Sequence, residues 1–282
     1  MGSIVYLNGE FIAKEDAKVS VLDRGFLFGD SIYEVIPVYH SSPFRLAEHL
    51  TRLNYCLRAI GIAYPQTNEQ WQALIEQVIE KNGAGHLSIY IQVTRGSENK
   101  RDHLAKSTTP ATILIMAMPL SIEVAELTSI KAALLEDFRW QHCDIKTTSL
   151  LGNIMLRQQA DQMGFDEAIL QRDNQISEAT AANVFIVKNN EIFTPAKSHQ
   201  LLAGITRDLV VEIAESASIK VHQTRLSTEA LLSADEVWIS SSSREISAVV
   251  AINDKIIADG GIGSMTKKIH QLFQTFKRSL VD

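Results

Sequence analysis

The sequence predicts a mixed α+β (α/β mixed) protein of two lobes. Apolar residues recur with strand period in some stretches and helix period in others, and the two kinds alternate along the chain. The pattern restarts after Met118. The chain has 282 residues, 45% apolar and 21% charged, which is enough for one large core or two smaller ones. These observations place an N-terminal α/β domain over 1–118, a linker over 119–125 and a C-terminal α/β domain over 126–282. An active site falls by default between two such lobes.

The elements follow in order. "IVYLNGEFI" has Asn8-Gly9 between two apolar runs, which predicts a hairpin. "SIYEVIPVYHSSPF" reads as extended chain, with Ser41-Ser42-Pro43 as its turn and Pro37 pointing to an edge or a bulge. Leu46, Leu50, Leu53, Leu57 and Ile60 recur at helical spacing, and Gly61 ends that helix. A second helix is expected from a cap near Asn68 to Lys81, stopped by Asn82-Gly83. "LSIYIQVT" and "ATILIMAM" read as strands, joined by the long polar loop "RGSENKRDHLAKSTTP". Loops of that length are often functional. Beyond the connector "PLSIEVAEL", strands are expected near 130–136, 167–171, 184–188, 191–194, 219–225, 236–240 and 248–257. Helices are expected near 151–163, 206–217, 227–233 and 265–278.

Composition bounds the function. A formal net charge of −6 argues against nucleic acid as a partner, because phosphate backbones call for a basic surface. Two isolated cysteines, Cys56 and Cys143, make neither a disulfide framework nor a zinc site, and reduced thiols are expected. No metal site is expected. "MGSIVYLNGE" lacks a basic segment followed by an apolar stretch, so no signal peptide is expected. No window reaches the length of a membrane span. The expected setting is cytoplasmic, away from membranes.

Several stretches carry candidate chemistry, each with a plain alternative. In "DIKTTSLLGN", Lys146 is either a solvated lysine in a polar turn or a partly desolvated amine that forms a Schiff base with a carbonyl cofactor. In "ISEATAANVF", Glu178 is either an exposed loop carboxylate or the partner of a protonated ring nitrogen. In "LLAGITRDLVVEIAESA", the start of a helix is either ordinarily capped or an anion cradle built from the N–H groups of Ile205 and Thr206. Four serines end "VWISSSSREI", and Ser241 and Ser242 either line a phosphate or sit in a solvated turn. Arg52 in "EHLTRL" is either a solvated helix face or a phosphate ligand. In "KRDH", Arg101 and His103 lie two apart, so in extended chain they share a face. They are either a solvated loop or a pair that meets one carboxylate, a group that suits the planar fork of arginine.

Taken together, "EATAANVF", "IFT" and "LAGITR", with their intervals, resemble the signature of the class IV, or fold-type IV, pyridoxal-phosphate aminotransferases. The resemblance extends to "DRGFLFGDSIYEVI", "EHLTRL", "IQVTRG", "FRWQHCDIKTTSLLGN" and "EAIL", and so covers nearly the whole chain. "SIYEVIPVY" and "RDH" look most like the D-amino-acid (D-alanine) aminotransferases. The resemblance implies that Lys146 is the Schiff-base lysine of pyridoxal 5'-phosphate and that Glu178 partners the ring nitrogen. It implies that Arg52, Ile205, Thr206, Ser241 and Ser242 grip the phosphate, and that Tyr33, Arg101 and His103 hold the substrate carboxylate. It further implies a homodimer acting on small amino acids and 2-oxo acids, with D-alanine and 2-oxoglutarate giving pyruvate and D-glutamate. Alternatives on the same scaffold are a branched-chain L-amino-acid aminotransferase, an (R)-amine transaminase, an aminodeoxychorismate lyase or a non-catalytic binding protein. This chain departs from the pattern at Asp30-Ser31, where Asp-Gly is frequent. It also departs before Arg101, where the D-enzyme pattern has one residue fewer, and it lacks a Phe-Pro soon after.

Overall fold

The computed structural model describes residues 3–63, 66–106, 108–120 and 126–279. Of the expected linker, residues 121–125 lie outside the described residues. The chain divides into two compact units, Met1–Ile122 with Ile145–Leu150, and Glu123–Asp144 with Leu151–Asp282. The stretch that carries Lys146 thus belongs to the first unit. No helix among the described residues is long and apolar enough to cross a membrane.

The first unit contains β1 (Ile4–Leu7), β2 (Glu10–Ala13), α1 (Arg24–Phe28), β3 (Ser31–Tyr39), β4 (Ser42–Pro43), α2 (Leu46–Ala59), α3 (Asn68–Lys81), β5 (Leu87–Thr94) and β6 (Thr112–Pro119). Among the described residues its strands form one antiparallel sheet in the order β2-β1-β6-β5-β3-β4. Asn8 and Gly9 take positive φ, as a two-residue hairpin demands. The turn after β3 is His40–Ser41, at φ 49° and 67°, and not Ser41-Ser42-Pro43. A tight hairpin needs positive φ at both central residues, and proline is locked at negative φ. Ser42 and Pro43 therefore start the return strand. At the Pro37 end of β3 the outer neighbour is only the two-residue β4, so a missing N–H is tolerated there.

The leucine stripe of α2 (Leu50, Leu53, Leu57) and Trp71, Ile75 and Val78 of α3 bury against Ile32, Ile36, Ile89 and Ile91 of the sheet. The cap of α3 is Thr67, one residue before Asn68. Its hydroxyl accepts the Gln70 N–H while the Gln70 side chain accepts the Thr67 N–H, a capping box that Asn68 is not placed to form. The five residues of α1 are too few for a periodic signal, so that helix is not legible in the sequence.

The second unit contains β7 (Thr128–Glu136), α4 (Leu151–Gln162), β8 (Glu167–Arg172), β9 (Gln175–Ala179), β10 (Asn183–Lys188), β11 (Glu191–Pro195), α5 (Ile205–Ser216), β12 (Val221–Thr224), α6 (Thr228–Leu232), β13 (Glu236–Ser241), β14 (Glu245–Ile252), β15 (Lys255–Ile256) and α7 (Ser264–Arg278). Its described strands form a mixed sheet in the order β12-β11-β10-β13-β14-β7-β8-β9, with β15 on β14. The pairs β7–β8, β7–β14 and β11–β12 are parallel. Near-continuous apolar runs such as Val184–Val187 are buried, as expected of strands covered on both faces. Asp173 and Asn174 make the positive-φ turn that reverses β8 into β9 and carries Glu178 inward.

Candidate active site

In the first unit, residues 145–150 run beside β3. Tyr33 N–H donates to the Lys146 carbonyl at 2.9 Å, and both the N–H of Thr148 and the hydroxyl of Thr147 donate to the Ser31 carbonyl. The Lys146 N–H in turn donates to Cys56 Sγ on α2 at 3.3 Å. The two threonines of "DIKTT" are therefore tied to the backbone of β3, Thr148 through its N–H and Thr147 through its hydroxyl, rather than decorating a solvated turn. Lys146 itself is half-buried, and its Nζ lies 4.2 Å from the centre of the Tyr33 ring, a cation–π contact. The departure at Ser31 has a structural account: its buried hydroxyl bonds the Thr148 hydroxyl, adding a tie between β3 and the lysine stretch.

Arg52 does not lie on a solvated face. Its Nε and Nη2 donate to the two oxygens of Glu34 at 2.9 and 2.6 Å, and His49 Nδ1 lies 3.0 Å from Glu34 Oε1. Glu34 and His49 are fully buried. Burial pushes the Glu34 carboxyl up, but Arg52 and His49 outweigh it and hold the group well below the usual carboxylate range. Burial also keeps the His49 imidazole below its ordinary value, against the pull of Glu34. Tyr33 stacks on Tyr90 with ring centres 5.7 Å apart. Arg101 and His103 are exposed in their loop and both lie against the Phe28 ring, at 4.9 and 5.4 Å. The shared face expected from their spacing is there, and Phe28 is what it meets.

In the second unit, Glu178 is the last but one residue of β9 and is buried. Its Oε1 accepts from Arg139 Nη1 at 2.8 Å and its Oε2 accepts the Leu202 N–H at 3.0 Å. Burial raises the Glu178 carboxyl above its ordinary value, and Arg139 and the Leu202 amide only partly offset it. Arg139 also takes Asp137 in a two-armed pair, Nε to Oδ1 and Nη2 to Oδ2, both at 3.0 Å, and Ser177 and Arg172 attach to the same aspartate. Ile205 and Thr206 open α5 after Gly204, with no side-chain cap. The close turn there needs glycine, because a Cβ at Gly204 would lie 2.0 Å from Asn183 Oδ1, and the Asn183 amide donates to the Leu202 carbonyl. The first N–H groups of a helix have no partner in its own ladder, so this uncapped start suits an anion. Ser241 accepts the Arg244 N–H at 3.2 Å, and Ser242 stands half-buried in the turn after β13.

The structure thus ties Lys146 to Tyr33 and, within the second unit, gathers Glu178 and the α5 start through Leu202 and Asn183. Glu34, His49, Asp137 and Arg139 escaped the sequence reading. Alternation on β3 puts Glu34 beside Tyr33 in "YEV", and Asp137 and Arg139 are two apart in "DFR", but neither spacing names a partner 15 to 40 residues away. In the first unit the half-buried Lys146 amine suits a carbonyl group, and in the second unit the buried Glu178 carboxylate and the uncapped α5 start suit a basic nitrogen and an anion.

The family model "Amino-transferase class IV" matches residues 31–252. A D-alanine aminotransferase of Staphylococcus epidermidis is 37% identical over 98% of this chain and 98% of its own length. One of Listeria monocytogenes is 35% identical over 95% and 94%. Among solved structures, the branched-chain amino acid aminotransferase of Escherichia coli is 27% identical, with a TM-score of 0.91 over 98% of this chain and 94% of that one.

Proposed function

The chain belongs to the amino-transferase class IV family, and from that premise we propose that it moves the amino group of D-amino acids, D-alanine among them, to 2-oxo acids. With 2-oxoglutarate as acceptor the products are pyruvate and D-glutamate. The observation that carries this reading is the similarity to D-alanine aminotransferases across nearly the entire length of both chains. A branched-chain L-amino-acid aminotransferase is the second reading, favoured by the likeness to the Escherichia coli structure. We place the enzyme in the cytoplasm as a homodimer.

Members of the class depend on pyridoxal 5'-phosphate, which when bound supplies the electron sink that lets an α-proton leave. Lys146 would hold the cofactor through Nζ and, once free, move the proton at the substrate α-carbon. Tyr33, 4.2 Å from that Nζ, fixes where the amine rests. Glu178 would partner the ring nitrogen. Its raised carboxyl favours a cationic neighbour, because an opposite charge restores the ionised form that burial disfavours. Arg52, the N–H groups of Ile205 and Thr206, and the hydroxyls of Ser241 and Ser242 would bind the phosphate. Glu34 holds the Arg52 fork in place for that task.

The test is a half-reaction. D-alanine added without an acceptor is expected to bleach the visible absorbance of the bound cofactor rapidly, with L-alanine and L-leucine slow. Bleaching by L-leucine but not by D-alanine would move the assignment to the second reading. Lys146→Ala is expected to lose both turnover and stable cofactor retention. Full turnover by that variant without added amine would remove Lys146 from the role.

A further inference from the structure

The loop that carries Arg101 and His103 is anchored by a residue with no role so far. We propose that Arg24, buried beneath residues 97–106, is a positioning residue that fixes Arg101 and His103 on Phe28 and thereby sets the affinity for the substrate carboxylate. The assignment rests on the reading of Arg101 and His103 given above.

Arg24 opens α1 and is 6% exposed. Its Nη1 donates to the Asp102 carbonyl and its Nη2 to the His103 carbonyl, the latter at 2.9 Å. Both acceptors are backbone, so the grip fixes the path of the chain through the "RDH" segment. The guanidinium also stands 4.9 Å from the Phe28 ring, the ring that Arg101 and His103 contact. One aromatic platform therefore aligns the anchor and both residues it positions.

The anchor is itself anchored. Arg24 Nε donates to Asp30 Oδ2 at 2.8 Å, and Arg95 takes both oxygens of Asp30 at 2.8 and 2.9 Å. Arg95 then donates to the carbonyls of Ile60 and Gly61, at the end of α2. The base of the loop is closed as well. Arg24 N–H donates to the Gly96 carbonyl at 2.9 Å, and Gly96, at φ +87°, approaches Pro110 so closely that a Cβ would lie 1.8 Å from its carbonyl oxygen. A loop with one residue more than the D-enzyme pattern is thus held at its root by Gly96 and at its tip by a guanidinium. A lysine in that place has the charge but not the planar fork that reaches one carboxylate and two carbonyls together.

The experiment uses cofactor-loaded enzyme and compares Arg24→Lys, Arg24→Gln and Arg101→Ala with wild type. It reads KM and kcat for D-alanine, and the rate of tryptic cleavage after Lys100, Arg101 and Lys106 in the Arg24 variants. Both Arg24 variants are expected to raise KM about tenfold with kcat within about twofold, a loss of binding rather than of chemistry. Tryptic cleavage in the loop is expected to rise about tenfold, while cofactor absorbance persists. If Arg24→Gln does not fold, Arg24→Lys decides. Unchanged KM in the Arg24 variants, with Arg101→Ala raising it, would overturn the role of Arg24 and leave the carboxylate reading standing. Raised KM with unchanged cleavage would also overturn it, since Arg24 would then act other than through the loop. Unchanged KM in Arg101→Ala would overturn the carboxylate reading and this assignment with it.

Discussion

Arg139 Nη1 lies 2.8 Å from Glu178 Oε1, and the same guanidinium holds Asp137 with its other two nitrogens. One buried cation therefore serves two buried carboxylates. Arg139→Met removes that cation and leaves Glu178 with the Leu202 N–H and Asp137 with the backbone N–H of residue 139, Ser177 and the more distant Arg172, a loss of about 3–5 kcal/mol by the usual cost of breaking a buried pair. The pH dependence follows from the sign of each shift. Asp137 is held below its ordinary value because Arg139 outweighs burial, so its contribution is present above about pH 4 and fades as pH falls through the lowered value. We expect the Tm gap between Arg139→Met and wild type to be widest near pH 7 and to narrow towards pH 4, where the stranded acids take up protons. A gap that stays constant across that range would show that lost packing, not charge, sets the cost.

Glu178 has the opposite sign. Its raised carboxyl means that the ionised form burdens the fold, and any stability it gives is present at low pH and lost as pH rises through the raised value. A buried carboxyl whose ionised form costs the fold points to function rather than stability. Glu178→Gln is expected to retain the fold and to slow the proton-transfer step. Losing a charge-assisted bond of about 1.5–3 kcal/mol gives roughly ten- to a hundredfold in rate when felt in the transition state. A single-turnover measurement with saturating D-alanine checks it, and an unchanged rate would mean that Glu178 does not partner the ring.

Much of this was legible in the sequence, for reasons particular residues make clear. Long elements with strong period, such as the leucine stripe of α2, declare themselves because burial repeats every few residues. Lys146, Glu178 and the α5 start stand out in the sequence through their order and spacing, not through any local property. Their second partners were hidden because a buried ion pair is chosen by three-dimensional proximity. Nothing near Arg52 in the chain distinguishes Glu34 from Glu48 as its partner, yet Glu48 pairs with Arg45 on the helix surface and Glu34 is drawn from β3. The turn at His40–Ser41 was missed because proline punctuates a sequence more loudly than a histidine at positive φ.

Glu34 offers a third measurement. Its lowered carboxyl means that the Arg52 pair stabilises the fold above the ordinary carboxyl range, near pH 4.5, and is lost only as pH falls through the depressed value. Glu34→Gln is expected to destabilise by about 3–5 kcal/mol near neutral pH, because it leaves a largely buried guanidinium without its carboxylate. Unlike the Arg139→Met gap, this one is expected to persist at pH 4. Cofactor affinity should fall as well, since Arg52 loses the group that orients it. Urea unfolding at pH 7 and pH 4 with a pyridoxal phosphate titration tests both parts. Wild-type stability at pH 7 would show that the pair is not what secures α2 to β3.

The stereochemical assignment rests on Tyr33, Arg101 and His103, and it can be separated from cofactor binding. An aminotransferase must fix the amine, the α-proton and the carboxylate, and the side that receives the carboxylate decides which enantiomer reacts. Tyr33 faces the Lys146 amine, whereas Arg101 and His103 contact Phe28 of α1. Removing either loop residue should therefore spare the cofactor. Arg101→Ala is expected to raise KM for D-alanine by about ten- to a hundredfold, the cost of a lost charged bond to a carboxylate. His103→Ala is expected to raise it less, because an imidazole offers at most two N–H donors where the guanidinium offers five in a planar fork. The visible absorbance of the bound cofactor should be intact in both, and the discrimination between D- and L-alanine should shrink. Kinetics with D-alanine indistinguishable from wild type in both variants would place the carboxylate elsewhere and take away the structural basis for D-specificity.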